Sequence, residues 1–430
     1  MLAMTSLIAP STFLVCPDHE DYDAVRTAWN LAVDQRPALV ALPQSDLDVV
    51  AAVRCARDRG LKVTAQGTGH GAPALGSLED TLLIRTHNMR GVEIDAERRI
   101  ARVEAGAQWQ DVVPAAAQHG LACLHGSAPD VGVVGYTLGG GTSFFGPKHG
   151  TAASRVVSVD LVTAEGELIR ASASENAELF DALRGGGGSF GIVTAMEFEL
   201  FEPGPVIAGH LWFGLDRATA VFAAWAAWTE TLTDDVMTYA RLVRVPDMPG
   251  VPEPLRGGQF TVIEATILGD NDNVLAPMRA LGPAMDTFGP KSLPEMMGLH
   301  MDPPEPVPGS GDGFQISAIP AASIAQSFGP SLLGLQIGYL GGRLAELGGP
   351  YQVFSVGIAA TPGMKGAVVA DCQALRAALA DVATGRETPN FSEHRTAPEA
   401  FWGPERLASL RAVKRAIDPD GVVVANHPIA

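Results

Sequence analysis

Two periods of apolar residues alternate along the chain, and the places where one gives way to the other outline its elements. Ser45-Asp46-Leu47-Asp48 resembles a helix capping box, an apolar run of helical spacing continues through Val50, Val53 and Ala56, and Gly60 stands where a helix stops. Residues 61–65 then read as a strand. Val92-Glu93-Ile94 and Ile100-Ala101-Arg102-Val103 read as the arms of a hairpin around a charged turn, and residues 109–119 as a helix stopped by Gly120. The same reading gives strands at 156–163 and 167–170 around Glu165-Gly166, a helix at 176–183 and a strand at 192–200.

Past Pro203 the pattern changes. Strand-like runs at 206–213, 237–245, 260–268 and 352–360 alternate with helical runs at 218–232, 273–281 and 365–383. This predicts a separate α+β unit with a sheet backed by helices. Residues 302–313, rich in Pro, Gly and Asp, read as a surface loop.

A chain of 430 residues exceeds one ordinary core, so two domains are expected. Forty-eight acidic against 30 basic residues give a formal charge of −18, and no Lys/Arg run interrupts it, which excludes a nucleic-acid partner. Cys16, Cys55, Cys123 and Cys372 lack any CxxC spacing, so neither zinc nor a dithiol couple is expected, and no metal site is assigned. Residues 1–16 are fairly apolar, but carry no basic leader region and contain Pro10; no other stretch has membrane-spanning form. The expectation is a cytoplasmic protein without a membrane partner.

Glycine marks where chemistry is concentrated. Gln66-Gly67-Thr68-Gly69-His70-Gly71 directly follows the strand at 61–65, and such a loop lets backbone N–H groups close around an anion, with one imidazole among them. Gly132, Gly135, Gly139, Gly140, Gly141, Gly146 and Gly150 crowd a second region, and Gly185 to Gly188 a third. Gly67, Gly69 and Ala72 formally match GxGxxA, and Gly186, Gly188 and Gly191 match GxGxxG. The nicotinamide fingerprint, however, needs a strand before the loop and a helix after it. The first match meets Pro73 and a loop, and the second has the order reversed. What remains is a cofactor lying across several glycine loops.

In that arrangement the residues resemble the FAD-linked oxidoreductases of the vanillyl-alcohol oxidase and p-cresol methylhydroxylase (PCMH) type, and within them the berberine-bridge-enzyme-like (BBE-like) group. Gln66 to Gly71 is similar to the family's RGGGH loop, residues 128–141 to its CPTVGVGGHxxGGG block, and residues 184–193 to RGGGGNFGVV. Asn390-Phe391, Phe401-Trp402-Gly403 and Asp418-Pro419 are similar to its C-terminal segment. The resemblance implies a two-lobed PCMH-type FAD-binding domain over residues 1–204, a substrate domain over 205–385 with an antiparallel sheet backed by helices, and a segment 386–430 that returns to the first domain.

It further implies that FAD is held by Gln66, Gly67, Thr68, Gly69, His70 and Gly71, by Ala128, Val131, Gly132, Gly135, Gly139, Gly140, Gly141 and Gly150, by Gly191, Ile192 and Val193, and by Asn390 and Asn426. His70 would bond covalently to the flavin 8α carbon; a neutral imidazole nitrogen is a nucleophile near pH 7. Val131 matches a position where a small side chain favours reaction of the flavin with oxygen. Tyr136 and Asn390 are the catalytic candidates. Tyr239, Glu264 and His210 lie on strand-like runs that could face the flavin, but their spacing does not choose among them.

Four departures qualify the resemblance. Ala128 replaces the cysteine of a second flavin tether, which leaves His70 as the single link; Gln66 replaces the loop arginine, Tyr136 a histidine, and Thr388 the first tyrosine of the family's YxNY motif. The implied activity is an FAD-dependent oxidase that takes hydride from a small organic substrate (an alcohol, a sugar or an intermediate of secondary metabolism) and passes electrons to dioxygen. The alternatives are a dehydrogenase with another acceptor and an FAD-binding protein without redox turnover.

Overall fold

The structure, a computed structural model, describes residues 14–248 and 253–429. Most of residues 1–16, on which the expected absence of a leader rests, lie outside that range. The periodic run after Ser45 is the helix Asp46–Asp58, with the Ser45 hydroxyl accepting from the Asp48 N–H. Its apolar stripe, Val49, Ala52, Val53 and Ala56, is buried between two sheets. The first sheet has four strands, in the order Leu14–Val15, Leu39–Ala41, Thr81–Arg85, Lys62–Gln66, and its last three are parallel. A parallel bridge between Val63 and Val423 adds the C-terminal segment beside Lys62–Gln66.

The second sheet is antiparallel. It runs Val92–Asp95, Ile100–Glu104, Ile192–Glu199, Val156–Val162, Leu168–Ser172. The helices Trp109–Ala117, Val133–Leu138, Ala177–Leu183 and Pro404–Ile417 contribute to its core, so the last helix of the chain closes a core begun by the first half.

The third sheet has eight strands, all pairings antiparallel. Its seven-strand path is Met285–Asp286, Val206–Gly214, Gln259–Leu268, Val236–Arg244, Gly334–Tyr339, Tyr351–Ile358, Gly309–Ile316, and Gly289–Pro290 pairs with Val206–Gly214. Strand alternation sends Leu211, Ala240, Ile263, Ile337 and Val353 to the face covered by helices Ala218–Thr229, Ala321–Gln326 and Pro362–Ala378. The opposite face turns toward Phe144 and Phe145 of the glycine-rich region.

Three expectations are corrected. Residues 309–313, read as loop, begin the strand Gly309–Ile316: Cβ atoms on Gly311 and Gly313 would lie 2.8 Å from Ser355 O and 2.3 Å from Phe391 O, so close backbone approach explains a strand written in glycine. The helix expected over 273–281 is a 3₁₀ turn, Asn273–Leu275, and one helical turn, Ala276–Arg279. Residues after Gly71 form one helical turn, Ala72–Leu75, instead of a loop. No helix among the described residues is long and apolar enough to cross a membrane, no group of described side chains could hold a metal, and the four cysteines are unpaired.

Candidate active site

His70 leaves the first sheet at the end of Lys62–Gln66. Its loop is shaped by close packing: Gly69 has φ +96°, and a Cβ there would sit 2.8 Å from that of Ala28. Trp29, whose backbone N–H donates to Thr68 O, stacks on the His70 ring with centroids 4.1 Å apart and planes 19° apart. The indole N–H donates to Asp130 Oδ2 at 2.5 Å, and Thr68 Oγ1 lies 2.8 Å from His70 Nδ1. That leaves Nε2. It lies 3.5 Å from Asp130 Oδ1, and both atoms are buried without a hydrogen bond. Burial pushes the Asp130 carboxyl up, but the nearby His70 and the hydrogen bond from the Trp29 N–H outweigh it and hold the carboxyl below its ordinary 3.8.

The second glycine region encloses the helix Val133–Leu138, which Gly139 caps. Asn390 reaches it from 249 residues beyond Gly141: its Oδ1 accepts from the Gly141 N–H at 3.0 Å, and its Nδ2 donates to Tyr136 O at 3.1 Å. Cβ atoms would lie 2.9 Å from the Asn390 amide on Gly139, and 2.4 Å from the Tyr136 ring on Gly141. The Tyr136 hydroxyl donates to Thr142 O at 2.7 Å, and the ring stands edge-on to Trp109 at 5.4 Å. Burial raises the phenol well above its ordinary 10, so Tyr136 is built as a donor; this geometry does not support the base among its candidate roles.

The remaining candidates fall into two groups. Gln66 is buried at the strand end, Gly71 lies against the Asn426 amide, and Gly132 faces Thr68. Val131, half-buried against the second core, precedes the exposed Gly135, and Ala128 O accepts from the Val131 N–H. His427, beside Asn426, bonds Pro389 O through Nε2 at 3.1 Å, and burial pulls its imidazole down to about 4. Gln66, Gly71, Gly132 and Asn426 thus gather around the His70 loop, with Gly67 packed on Thr86.

Gly191, Ile192 and Val193 do not present ligand-facing side chains. A Cβ on Gly191 would lie 2.8 Å from both Leu161 Cδ1 and Val162 O, and the two side chains after it fill the first and second cores. Gly150 caps the turn Gly146–His149. In the third glycine cluster, Trp402 Nε1 donates to Gly185 O and Lys414 Nζ to Ser189 O, fastening it to the C-terminal segment. Gly187 is buried, yet nothing lies within 4 Å of where its Cβ would be.

The sheet face opposite the helices carries a feature that no motif announced. Strand register sets His210 beside Glu264, Glu264 beside Tyr239, Tyr239 beside Gly338, Gly338 beside Gln352 and Gln352 beside Gln315, one transverse row across six strands. Glu264, fully buried, accepts from Arg241 Nη1 at 2.8 Å, pairs with His300 Nδ1 at 2.8 Å, and meets His210 Nε2 at 3.3 Å. Burial alone would raise its carboxyl; the charges of His300 and Arg241 and these bonds hold it well below 4.5. Gly338 makes room for the Tyr239 ring, and Tyr239 stands edge-on to Phe144 at 6.3 Å. At the far end Thr388 Oγ1 donates to Gln352 Oε1 at 2.7 Å, two residues before Asn390. Arg241, His300, Asp130 and Trp29 were not singled out in the sequence. Register could have suggested Arg241, but nothing local signals the others.

Buried polar atoms are ordinarily paired. Here His70 Nε2, Asp130 Oδ1, Arg85 Nε and Thr137 Oγ1 are buried without partners around the glycine loops, and the space at Gly187 is open. Unfilled donors and acceptors spread over several glycine loops fit a dinucleotide cofactor.

The comparisons agree. Residues 37–172 match the family described as FAD binding domain. The chain is 38% identical over 196 residues to glucooligosaccharide oxidase of Sarocladium strictum, covering 45% of this chain and 39% of that protein. It is 36% identical over 199 residues to (R)-6-hydroxynicotine oxidase of Paenarthrobacter nicotinovorans, covering 46% and 43%. These matches thus span about two fifths of the length of the curated relatives. Over both full chains the fold superposes on 6-hydroxy-D-nicotine oxidase from Arthrobacter nicotinovorans with a TM-score of 0.86 at 26% identity. The wild-type BBE-like 1 protein of Physcomitrella patens shares the fold, with a TM-score of 0.84 at 19% identity over 97% of this chain and 96% of that one. Residues 37–172 are thus an FAD binding domain, and the whole chain shares the fold of 6-hydroxy-D-nicotine oxidase and is similar in part to FAD-linked oxidases.

Proposed function

We propose that the protein is an FAD-dependent oxidase of a small organic substrate, with FAD bonded covalently through His70 alone. The observation that carries the tether is the state of the His70 ring. Nδ1 is engaged by Thr68, Trp29 fixes the plane, and buried Nε2 is without a partner. Asp130 Oδ1, 3.5 Å away, is positioned to hold the proton that Nε2 gives up, which frees the nitrogen lone pair that would form the bond. Ala128 has no sulfur for a second link.

In this reading residues 1–204 and 386–430 hold FAD, and residues 205–385 supply the substrate wall. When bound, FAD supplies the two-electron acceptor for a hydride from a C–H bond beside oxygen or nitrogen, with dioxygen reoxidising it to give hydrogen peroxide. The chain's own residues orient. Asn390 fixes the Gly141 N–H and the Tyr136 carbonyl, while the polar row sets the Tyr239 ring edge-on to Phe144. Support for oxidase chemistry comes from the relatives named as oxidases of oligosaccharides and of hydroxynicotine, and from the small side chain at Val131.

The test is direct. Acid precipitation should leave yellow colour in the pellet, and anaerobic addition of sugars, alcohols or amines should bleach the flavin with one of them. Admission of air should then restore the colour and release hydrogen peroxide. Colour in the supernatant removes the tether but spares FAD. A bleached enzyme that air restores only slowly is a dehydrogenase, and a flavin that no substrate bleaches argues against turnover.

A further inference from the structure

Gln66 and Arg85 end the parallel strands Lys62–Gln66 and Thr81–Arg85 in register with each other, so the His70 loop and the turn Thr86–Asn88 leave the sheet from one edge. The carboxyl edge of parallel strands is where such folds receive anionic ligands. Arg85 is 9% exposed. Among the described residues its guanidinium makes one hydrogen bond, from Nη1 to Gln66 Oε1 at 3.2 Å, and its Nε is buried without a partner.

The Gln66 amide is itself oriented for this contact. Gln35 Nε2 donates to Gly76 O, Gln66 Nε2 donates to Gln35 Oε1 at 2.8 Å, and Gln66 Oε1 is thereby turned to Arg85. A neutral amide oxygen does not balance a guanidinium. Arg26, Arg241 and Arg376, also partly or wholly buried, meet the carboxylates of Asp34, Glu264 and Asp312, while the half-buried Arg244 donates to three backbone carbonyls and Arg386 to one. Among the described residues Arg85 meets no carboxylate, and burial pushes it down to about 10. Removing a cation from water without an anion is costly, and breaking a buried pair shows how costly.

We propose that the Arg85 guanidinium binds the pyrophosphate of FAD, replacing from the neighbouring strand the cation that the loop lacks at Gln66. Five N–H donors in a planar fork suit two phosphate oxygens, and one Nη1 contact with Gln66 leaves most of them free. Backbone N–H groups of the glycine loop provide partial charges only, and a chain of net charge −18 gains from a fixed cation beside a doubly charged ligand. The inference rests on the FAD reading, and its test separates the two.

Equilibrium binding is measured by flavin fluorescence in the H70A background, where FAD is exchangeable, with ADP and riboflavin as partial ligands. Adding R85Q should weaken FAD and ADP by about tenfold or more and leave riboflavin unchanged, because the loss belongs to a charge-assisted phosphate contact. Adding Q66R to R85Q should recover most of that loss by returning the cation to the loop. Equal FAD and ADP affinities with and without R85Q, in a protein that binds FAD, overturn the proposal. If R85Q does not fold, R85K replaces it: the charge stays and the fork is lost, so FAD and ADP should weaken by a smaller factor, and unchanged affinities again overturn it. A wild-type protein that binds no FAD fails the wider reading instead.

Discussion

His70 Nε2 and Asp130 Oδ1 face each other across 3.5 Å, each buried and without a hydrogen bond. Trp29 joins them, stacked on the one and donating to the other. Sixty residues separate the two in sequence, and in the proposed tether Asp130 takes the proton that frees Nε2 for bonding.

D130N tests this relationship. The amide keeps the shape but accepts protons poorly, so covalent incorporation should slow by about a hundred- to ten-thousandfold, the range for a lost general base, while exchangeable FAD still binds. Colour in acid pellets sampled over time reports the rate. Asp130 is held below 3.8 in the folded protein, so its contribution to stability is complete above that value and is lost as pH falls through the lower folded one. D130N should therefore flatten the acid limb of the stability curve, read by chemical denaturation at stepped pH.

Tyr136 gives a prediction of the opposite kind. Its hydroxyl donates to Thr142 O, so Y136F should cost about 1 kcal/mol, the net value of such a bond, seen as a lower denaturant midpoint. The pH dependence of kcat should keep its shape. A lost ionisation in the Y136F profile would return Tyr136 to the role of base.

Much of the FAD-holding part was readable in the sequence because its elements are local: the Ser45 cap, the hairpin of Val92–Asp95 and Ile100–Glu104, and the glycine loop after Lys62–Gln66. Gly309–Ile316 was not, since glycine there answers to Phe391 and Ser355, which are distant in sequence. Gly334–Tyr339 was missed for a similar reason, its Gly338 making room for the Tyr239 ring of the neighbouring strand. Glu264, His210 and Tyr239 could be listed from their strands, but only register puts them in one row. Asp130 looked like one residue of a glycine-rich block until the fold set it against His70.

The Glu264 cluster predicts a stability signature in pH. Burial and Arg241 push His300 toward neutral, but Glu264 and Asp302 outweigh them and raise it above 6.5, while Glu264 is held well below 4.5. The carboxylate's contribution is lost only as pH falls through its low folded value, and the imidazole's as pH rises through its raised one. The network is thus at full strength between 4.5 and 6.5. E264Q leaves Arg241 as a buried cation without its carboxylate and should cost about 3–5 kcal/mol. In that variant the decline of stability above 6.5 should also disappear, which denaturant melts at two pH values would detect.

The placement of Asn390 depends on a contact outside the site. A Cβ on Gly313 would lie 2.3 Å from the backbone oxygen of Phe391, an atom that cannot swing aside, and Phe391 ends the 3₁₀ turn Pro389–Phe391 that carries Asn390. G313A must therefore push that turn away from the sheet, at about 1–3 kcal/mol for an overpacked core position. The displacement draws the Asn390 amide from the Gly141 N–H and the Tyr136 carbonyl. Both a lower melting temperature and a shifted visible flavin spectrum are expected. N390A should reproduce the spectral shift without the steric strain; a G313A protein with lowered stability but an unaltered spectrum would show that the turn does not reach the flavin environment.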